Sequence, residues 1–320
     1  MQNELYTLEN YEYIRINGAD RISFLQGQLS CNTELLSAER SLSGALCNLK
    51  GRVIADFRLV QHDEDIIMQC AAGMAAKILA TLGKYAVFSK VELEQLSLDS
   101  TSAPLALGLT GDSVDAALSV LQLKFPDSLG KVSQNADCSV IRLPGSAQRV
   151  ELWFRGMAAK SAFLTSSDLS VSSELQGWHR AEIEAGIIHV TPELSEEYTP
   201  QLLNYDISGL IDFKKGCYTG QEIVARMFYR GTAKKRLFLA NASHMISKNS
   251  RVVDLEKVDA ADTEASGTEI LAYNNFRAPA LLLAILACDS TEPGKEYRLS
   301  DQPDSKVRVQ SLPYDEKLVD

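Results

Sequence analysis

The chain has 320 residues, of which 45% are hydrophobic and 23% charged, so it can bury the cores of two or three globular domains. Its 32 Lys and Arg against 42 Asp and Glu give a formal net charge of -10, which disfavours a dedicated nucleic-acid binder. The longest apolar run, residues 278–288, is too short to span a membrane, and residues 1–18 lack a signal-peptide core, so we expect a cytoplasmic protein without a membrane partner.

The first two thirds of the chain alternate predicted strands and helices. Residues 11–16 predict a short strand, and residues 21–29 predict a helix with Asp20 as its candidate N-cap. Residues 44–70 predict a meander of three strands separated by turn residues. The other predicted elements are a helix over 73–83, a strand over 104–109, a helix over 113–122 and a helix over 221–228. This order indicates a mixed α/β region without long crossover helices.

A short internal repeat and a change of composition divide the chain. The segment GMAAK opens a predicted helix after a predicted strand at both Gly73 and Gly156, which indicates either two related subdomains or a chance match in an alanine-rich chain. After Gly231, six short segments rich in β-forming residues predict a small all-β barrel or sandwich. We therefore divide the chain into an α/β part, residues 1–230, and a β part, residues 231–320.

Six cysteines are scattered along the chain, at positions 31, 47, 70, 138, 217 and 288. They form no CxxC pair or close cluster and have no histidine at ligand spacing, which argues against a disulfide framework, a structural zinc or a self-contained iron-sulfur site. We therefore expect no stably bound metal, and a functional cysteine would act singly. Cys31 and Cys288 lack cationic neighbours in the sequence and are predicted to be core residues.

The most unusual stretch is KKGCYTGQEIVAR, residues 214–226. Cys217 lies between glycines, next to two lysines and just before a predicted helix, and both the cations and the helix N-terminus would favour its thiolate. The alternative is a small buried hydrophobic residue in a glycine-rich turn. Glu222 and Arg226 are spaced i, i+4, which is more typical of a solvated helix pair than of a site.

Residues 215–222, KGCYTGQE, resemble the signature of the YgfZ family, the folate-binding relatives of the glycine-cleavage aminomethyltransferase. Further matching segments occur in the order that this family shows, namely FLQGQ (24–28), CNLKGR (47–52), EIEAG (182–186), PQLLN (200–204) and RG (230–231). The resemblance implies an α+β fold, in which two interleaved ferredoxin-like subdomains and a small C-terminal β-barrel form an aminomethyltransferase-like ring. It also implies a tetrahydrofolate site in the central opening.

The resemblance implies both folate contacts and a reactive thiol. Glu184 matches the acid that grips the pterin in aminomethyltransferases, and a carboxylate can accept two N–H bonds from an aminopyrimidine edge. The further candidate folate contacts in matching segments are Asp56, Asn48, Gln201 and Arg226. Cys217 is the candidate reactive thiol and Lys215 its candidate catalytic partner, within the motif residues Lys215, Gly216, Cys217, Tyr218, Gly220, Gln221 and Glu222.

The chain departs from the aminomethyltransferases at Ala55. Those enzymes carry Gly-Gly-Ile-x-Asp-Asp, whereas the matching segment here is GRVIAD, with Ala55 at the first carboxylate position and Asp56 at the second. One-carbon transfer of that kind is therefore disfavoured. On an alternating strand, Asp56 either orients the folate or faces solvent.

The resemblance implies an accessory protein that binds tetrahydrofolate and supports the assembly or repair of iron-sulfur enzymes. A tRNA methylthiotransferase is an example of such a client, so the activity would sustain tRNA modification. Two alternatives remain, a folate-dependent one-carbon transferase and a non-catalytic folate- or tRNA-binding regulatory module with an inert Cys217.

A run of positive charge follows the same motif. Residues 214–236 contain one acid, Glu222, with Asp212 at the border, and seven cations: Lys214, Lys215, Arg226, Arg230, Lys234, Lys235 and Arg236. Such a run is commonly a solvated face, but it would suit the polyglutamate tail of a cellular folate or the backbone of tRNA. We favour the polyglutamate tail because the same segment carries the family motif.

Overall fold

The computed structural model describes residues 4–97, 105–145, 147–172, 174–256, 267–291 and 295–314. Over these residues the chain forms two open sheets, helices packed against them, and a closed β-barrel. The predicted α+β class is confirmed. No helix among the described residues is long and apolar enough to span a membrane.

After strand β1 (Glu4–Thr7), which joins the second sheet, the first sheet is built from one continuous stretch of chain. Its strands are β2 (Tyr11–Asn17), β3 (Leu42–Cys47), β4 (Val53–His62), β5 (Asp65–Ala71) and β6 (Glu92–Leu96), in the order β3-β4-β5-β2-β6. All neighbouring strands are antiparallel. The predicted meander over 44–70 is confirmed as β3, β4 and β5.

Two helices accompany the first sheet. Helix α1 (Arg21–Gln26) ends three residues before the predicted boundary, and Asp20 precedes it without capping it, because the Asp20 carboxylate accepts a hydrogen bond from Lys90 N at 2.7 Å instead. Helix α2 (Ala75–Ala86) buries Ile78 and Leu82 in the core of this sheet, since residues spaced i, i+4 share one helix face.

The second sheet has six strands. One of them, β1, precedes the whole first sheet in the sequence, and the other five follow it. Its strands β1, β7 (Leu105–Thr110), β8 (Val132–Gln134), β9 (Cys138–Arg142), β10 (Arg149–Phe154) and β11 (Ser170–Ser172) have the order β11-β1-β7-β10-β9-β8. Strand β1 pairs with β7 in antiparallel register, with Leu5 opposite Leu109. The two subdomains are therefore interleaved, because the whole first sheet lies between β1 and β7 in the sequence.

The GMAAK repeat marks equivalent places in the two sheets. Its first copy leads from β5 into α2, and its second leads from β10 into α4 (Met157–Ser166). Helix α3 (Ser113–Leu121), at the predicted position, also belongs to the second sheet, where Val114 and Leu118 pack into the core. The repeat thus falls in two separate sheets, as expected for two related subdomains.

Two further helices follow the second sheet and precede the barrel in the sequence. Helix α5 (Gln176–Glu184) contacts strand β7 and the barrel, and α6 (Gln221–Arg230) forms where the sequence predicts a helix. A short 3-10 helix, Pro200–Leu203, packs against α6. Helix α6 buries Val224 and leaves most of its other side chains in solvent.

The C-terminal region is a closed six-stranded barrel. Its strands are β12 (Lys235–Ala242), β13 (Arg251–Asp254), β14 (Thr268–Asn274), β15 (Ala280–Ala287), β16 (Tyr297–Leu299) and β17 (Gln302–Gln310), closed in the order β12-β15-β14-β13-β16-β17. Each of the six predicted β segments overlaps one of these strands, although β15 and β17 extend beyond the predicted bounds, and the predicted barrel is confirmed. Strand β15 is buried along almost its whole length, which accounts for the longest apolar run in the sequence.

Candidate functional site

A cavity of about 360 Å³ lies where the two sheets, the segment after α5 and the end of the barrel region meet. Strands β4 and β5 form one wall, residues 185–189 form another, and Pro313 and Tyr314 contribute a third. The wall carries the polar side chains Tyr11, Asp56, Arg58, Gln69, Arg142 and His189. The volume of the cavity suits a small organic molecule, since binding sites for such molecules measure about 300–1,000 Å³.

Asp56 is the acidic residue of this wall. It is only 6% exposed, and its two carboxylate oxygens accept hydrogen bonds from Val190 N at 2.6 Å and from His189 Nδ1 at 2.7 Å. Side chains alternate along β4, so Ala55 faces the core of the first sheet while Asp56 faces the cavity. From the sequence, Asp56 could either orient the folate or face solvent, and its burial shows that the solvent-facing interpretation is wrong.

His189 links Asp56 to a second buried acid, Glu182. The imidazole Nε2 lies 3.5 Å from Glu182 Oε1. The same oxygen accepts hydrogen bonds from Tyr11 OH at 2.7 Å and from Arg149 Nη2 at 3.1 Å. An acid, an imidazole and a second acid therefore form one connected network beside the cavity.

The groups of this network shift one another's pKa values. Burial works to lower the pKa of His189, but the charges of Asp56 and Glu182 and their hydrogen bonds outweigh it and raise the pKa to about 10. Burial alone would raise the pKa of Glu182, but its hydrogen bond to His189 and the charges of His189 and Arg149 hold it well below its usual range. At neutral pH the imidazole is a cation between two carboxylates.

Two arginines add positive charge to the wall. Arg58, on β4, has its Nε buried without a hydrogen-bond partner, and its nearest carboxylate, Glu151, is 3.9 Å away. That carboxylate already accepts hydrogen bonds from Gln69 at 3.1 Å and Trp153 at 2.8 Å. Arg142, on β9, reaches the same cavity. A ligand with carboxylate groups would complement these two cations, because guanidinium groups pair with carboxylates through charge-assisted hydrogen bonds.

The signature motif is anchored by Lys215 rather than by an exposed charge. Lys215 is buried, and its Nζ donates hydrogen bonds to Gln26 O at 2.7 Å and Leu29 O at 2.5 Å, at the end of α1. Burial lowers the pKa of this ammonium group. Tyr218 is also buried, with its ring 5.2 Å from the Lys215 nitrogen. The motif loop is thus fixed to the first subdomain on both sides of Cys217.

Gly220 of the motif and two residues of the other matching segments, Asn48 and Gln201, bind chain segments to one another. Gly220 has φ +84°, and a Cβ there would lie 2.4 Å from Asn48 O. The Asn48 side chain accepts hydrogen bonds from the backbone N–H groups of Lys50 and Arg52, which shapes its turn. Gln201 Nε2 donates to the carbonyl of Val224 in α6 at 2.9 Å. Asn48 and Gln201 therefore support the docking of α6.

Among the five candidate folate contacts, Asp56 alone lies on the cavity wall. Glu184 lies outside it, with a side chain 40% exposed and paired with Arg180 at 3.0 Å. Arg226 is exposed on α6, and no ion pair joins it to Glu222 although both residues are described. The helix pair expected from their spacing does not form.

The cysteines separate into two groups. Cys217 is exposed on the motif loop and does not line the cavity. Cys288 is exposed too, so its prediction as a core residue is wrong, and its Sγ donates to Ala233 O at 2.8 Å. Cys31 is buried as predicted, and burial raises its pKa to about 12. Among the described residues, no three His, Cys, Asp or Glu side chains are placed to hold a metal ion.

The network around His189 was not predicted from the sequence. Tyr11, Arg149 and His189 come from separate parts of the chain and belong to no motif, so no local spacing indicates their contact. Glu182 gave one usable signal, because it lies two residues before Glu184 in the same EIEAG segment. The structure buries the first of these two acids and exposes the second.

The fold is that of an aminomethyltransferase. The crystal structure of glycine cleavage system aminomethyltransferase T from Bartonella henselae superposes with a TM-score of 0.76, covering 98% of this chain and 86% of that one at 16% sequence identity. At this identity the likeness shows the fold. The predicted aminomethyltransferase-like architecture is confirmed.

Curated relatives then establish the family. The tRNA-modifying protein YgfZ of Colwellia psychrerythraea is 31% identical over 314 residues, which cover 97% of this chain and 94% of that protein. The tRNA-modifying protein YgfZ of Vibrio atlanticus is 30% identical over 312 residues, covering 96% and 91%. No protein-family model matches the sequence. The chain belongs to the YgfZ family, as its signature motif predicted.

Proposed function

We propose that this chain is a tetrahydrofolate-binding accessory protein that supports tRNA modification by assisting iron-sulfur enzymes. The observation that carries the proposal is the cavity walled by Asp56, His189, Arg58 and Arg142 in a fold shared with an aminomethyltransferase. The name of its curated relatives, tRNA-modifying proteins, supports the tRNA part. A tRNA methylthiotransferase is the proposed kind of client enzyme.

The residues of the cavity suit a folate. Arg58 and Arg142, which both line the cavity, would bind carboxylates of its glutamate portion. Tyr11 and Phe57 would offer ring surfaces to its flat heterocycle, and each Asp56 oxygen, besides its bond to His189 or Val190, keeps a second lone pair that could accept from a pterin N–H group. Bound tetrahydrofolate would supply its capacity to carry one-carbon units.

Two features support binding without aminomethyl transfer. Ala55 replaces one carboxylate of the aminomethyltransferase pattern, and both oxygens of the remaining Asp56 are engaged by His189 and Val190. Asp56 therefore orients its surroundings rather than standing free to exchange a proton. Turnover of tetrahydrofolate with an aminomethyl donor would instead establish the one-carbon transferase.

Cys217 is the proposed reactive group. Its loop is held by buried Lys215 and Tyr218, so the thiol has a fixed position at an exposed surface. Because Cys217 does not line the cavity, it would act on a partner protein rather than on the bound folate. The function thus combines a folate site with a separate surface thiol.

Blocking the cavity tests the folate proposal. Ser208 lines the cavity, and Ser208→Trp would fill it, whereas Ser208→Ala leaves it open. In thermal melts, tetrahydrofolate at about one hundred times its Kd should stabilise the wild type and Ser208→Ala by about 2.7 kcal/mol. Ser208→Trp should melt normally without ligand and lose that shift. Equal shifts in all three proteins would place the folate elsewhere.

Glu184→Gln tests the role that the family resemblance implies for Glu184. If Glu184 contacts the pterin, its replacement by an amide removes one of the two oxygens that accept pterin N–H groups. The thermal stabilisation by tetrahydrofolate should then be smaller in Glu184→Gln than in the wild type. Arg180 would keep its hydrogen bonds to the carbonyls of Arg277 and Pro279, and Glu184 is 40% exposed, so loss of the ion pair should change the unliganded melting temperature little. An unchanged ligand shift would remove Glu184 from the folate site and leave the cavity proposal intact.

A further inference from the structure

Two of the seven cations between Lys214 and Arg236 are engaged within the fold. Lys215 donates to backbone carbonyls, and Arg236 forms a bidentate pair with Asp206, with both N–O distances 2.9 Å. The other five are exposed and form no ion pair with any described residue: Lys214, Arg226, Arg230, Lys234 and Lys235. An acidic protein therefore gathers five exposed positive charges along one short stretch that contains a single acid, Glu222.

Three aromatic rings lie among these cations. Phe213 and Phe228 stack, with ring centroids 3.9 Å apart and planes 16° apart, and Tyr229 packs edge-on against both. The stack joins the loop that carries Lys214 to the C-terminal half of α6, while Tyr229 remains 67% exposed. The three rings and the five cations are called the basic-aromatic surface below.

We infer that the basic-aromatic surface binds RNA at unpaired nucleotides. Its cations complement a phosphate backbone, and an exposed ring beside them gives a base a face on which to stack. Bases within an A-form duplex are already stacked and are hidden in a narrow groove, so the surface fits a loop or single strand rather than a helix. The overall charge of -10 repels RNA elsewhere, which confines binding to this surface.

The aromatic rings favour RNA over a folate polyglutamate tail. None of the five cations lies on the wall of the cavity proposed for folate. A polyglutamate chain would pair with the cations, but it has no flat ring to cover Tyr229 and Phe228. This inference rests on a different surface from the proposed folate site, so either can fail without the other.

The experiment measures binding of a fluorescent, unmodified tRNA transcript across a salt series. Tyr229→Ala should weaken binding on the order of 10-fold, because base stacking on an aromatic side chain contributes about that much. Arg230→Gln with Lys234→Gln should reduce the slope of log K against log salt by about 1.5, since each phosphate contact contributes about 0.7 to 0.9. Arg226 is left unchanged because the family resemblance also implies it in folate binding.

A second exposed aromatic provides the matched control. Phe88 is 94% exposed and lies between exposed Lys84 and Lys90, but it stacks on no other described ring. Phe88→Ala and the double variant Lys84→Gln, Lys90→Gln should leave tRNA binding unchanged. All variants should melt as the wild type does and retain the tetrahydrofolate shift.

Three results would overturn the inference. The first is the absence of tRNA binding at low salt. The second is an equal loss in the Phe88 control variants, which would indicate attraction without a defined surface. The third is that poly-L-glutamate or pentaglutamyl folate binds as tightly as tRNA, and that this binding is weakened by Arg230→Gln with Lys234→Gln but not by Tyr229→Ala. That result would make the surface a general anion site.

Discussion

His189 is a partly buried cation placed between two buried carboxylates, Asp56 and Glu182. Replacing it by Gln would leave Asp56 and Glu182 without the charge between them. Loss of one partner from a buried charge network is destabilising, and for this partly exposed imidazole we expect about 2 kcal/mol at neutral pH. Chemical denaturation of the wild type and His189→Gln measures the difference.

The pH dependence identifies the source of that stability. The folded-state pKa of His189 is raised from its usual 6.5 to about 10, so its stabilisation is complete below 6.5 and is lost as pH rises through about 10. The difference in unfolding free energy between wild type and His189→Gln should therefore shrink between these values. A difference that stays constant over this range would mean that His189 contributes by packing alone.

Cys217 should matter in cells and not for folding. Its thiol is exposed, so Cys217→Ala should change the free energy of unfolding by no more than about 0.5 kcal/mol and should keep the tetrahydrofolate shift. The same variant should fail to complement a deletion strain, with reduced activity of an iron-sulfur enzyme such as a tRNA methylthiotransferase. Protein level is measured alongside activity.

Cys288→Ala is the control, because Cys288 is the other exposed cysteine among the described residues. It should complement the deletion fully. Full complementation by a well-folded Cys217→Ala would instead exclude a reactive thiol, and the motif would then serve to dock α6. Failure of both variants would point to a general loss of protein in the cell.

At the level of elements, two glycines of the motif loop have different roles. Gly220 adopts φ +84° directly before α6, and a Cβ there would meet Asn48 O at 2.4 Å, whereas no atom lies within 4 Å of a Cβ at Gly216. Gly220→Ala should therefore cost about 2 kcal/mol or more. Gly216→Ala should cost no more than about 0.5 kcal/mol. Thermal melts compare them, and equal losses would show that the loop tolerates no side chain at all.

The elements themselves were largely predictable from local pattern. The meander of β3 to β5 and the six barrel strands follow from alternating β-forming residues between turns. The length of α1 was not predictable from local pattern, because Ser30 N, which would continue the helix by donating to Gln26 O, donates to Ala45 O at 3.0 Å instead, and Lys215 Nζ occupies the Gln26 carbonyl. Long-range contacts of this kind leave no local periodicity.

The site was less predictable than the fold. Asp56 was found because it belongs to a motif, and the structure places it on the cavity wall. Motif membership also selected Asn48, Gln201 and Lys215, whose contacts in the structure are with backbone groups. A short motif identifies residues under constraint, but it does not distinguish those that would touch a ligand from those that hold the loops.

At the level of the whole molecule, the cavity joins all three parts of the chain. Asp56 comes from the first sheet, Arg142 from the second, and Tyr314 follows the last barrel strand. Tyr314 OH donates to Gly186 O at 3.0 Å, which ties the end of the barrel region to the segment after α5. A ligand in this cavity would contact each part at once, so its binding energy would oppose their separation.

The position of β1 has a consequence for synthesis on the ribosome. Its partner β7 lies roughly 100 residues further along the chain and so emerges about 5 to 20 seconds later at ordinary translation rates. The first sheet, complete by residue 96, can form during this interval. Strand β1 then remains an unpaired edge, a state prone to pairing with other chains. The nascent polypeptide is therefore most vulnerable to aggregation at β1 until β7 has been synthesised. A chaperone or a change in translation rate would matter most during this interval.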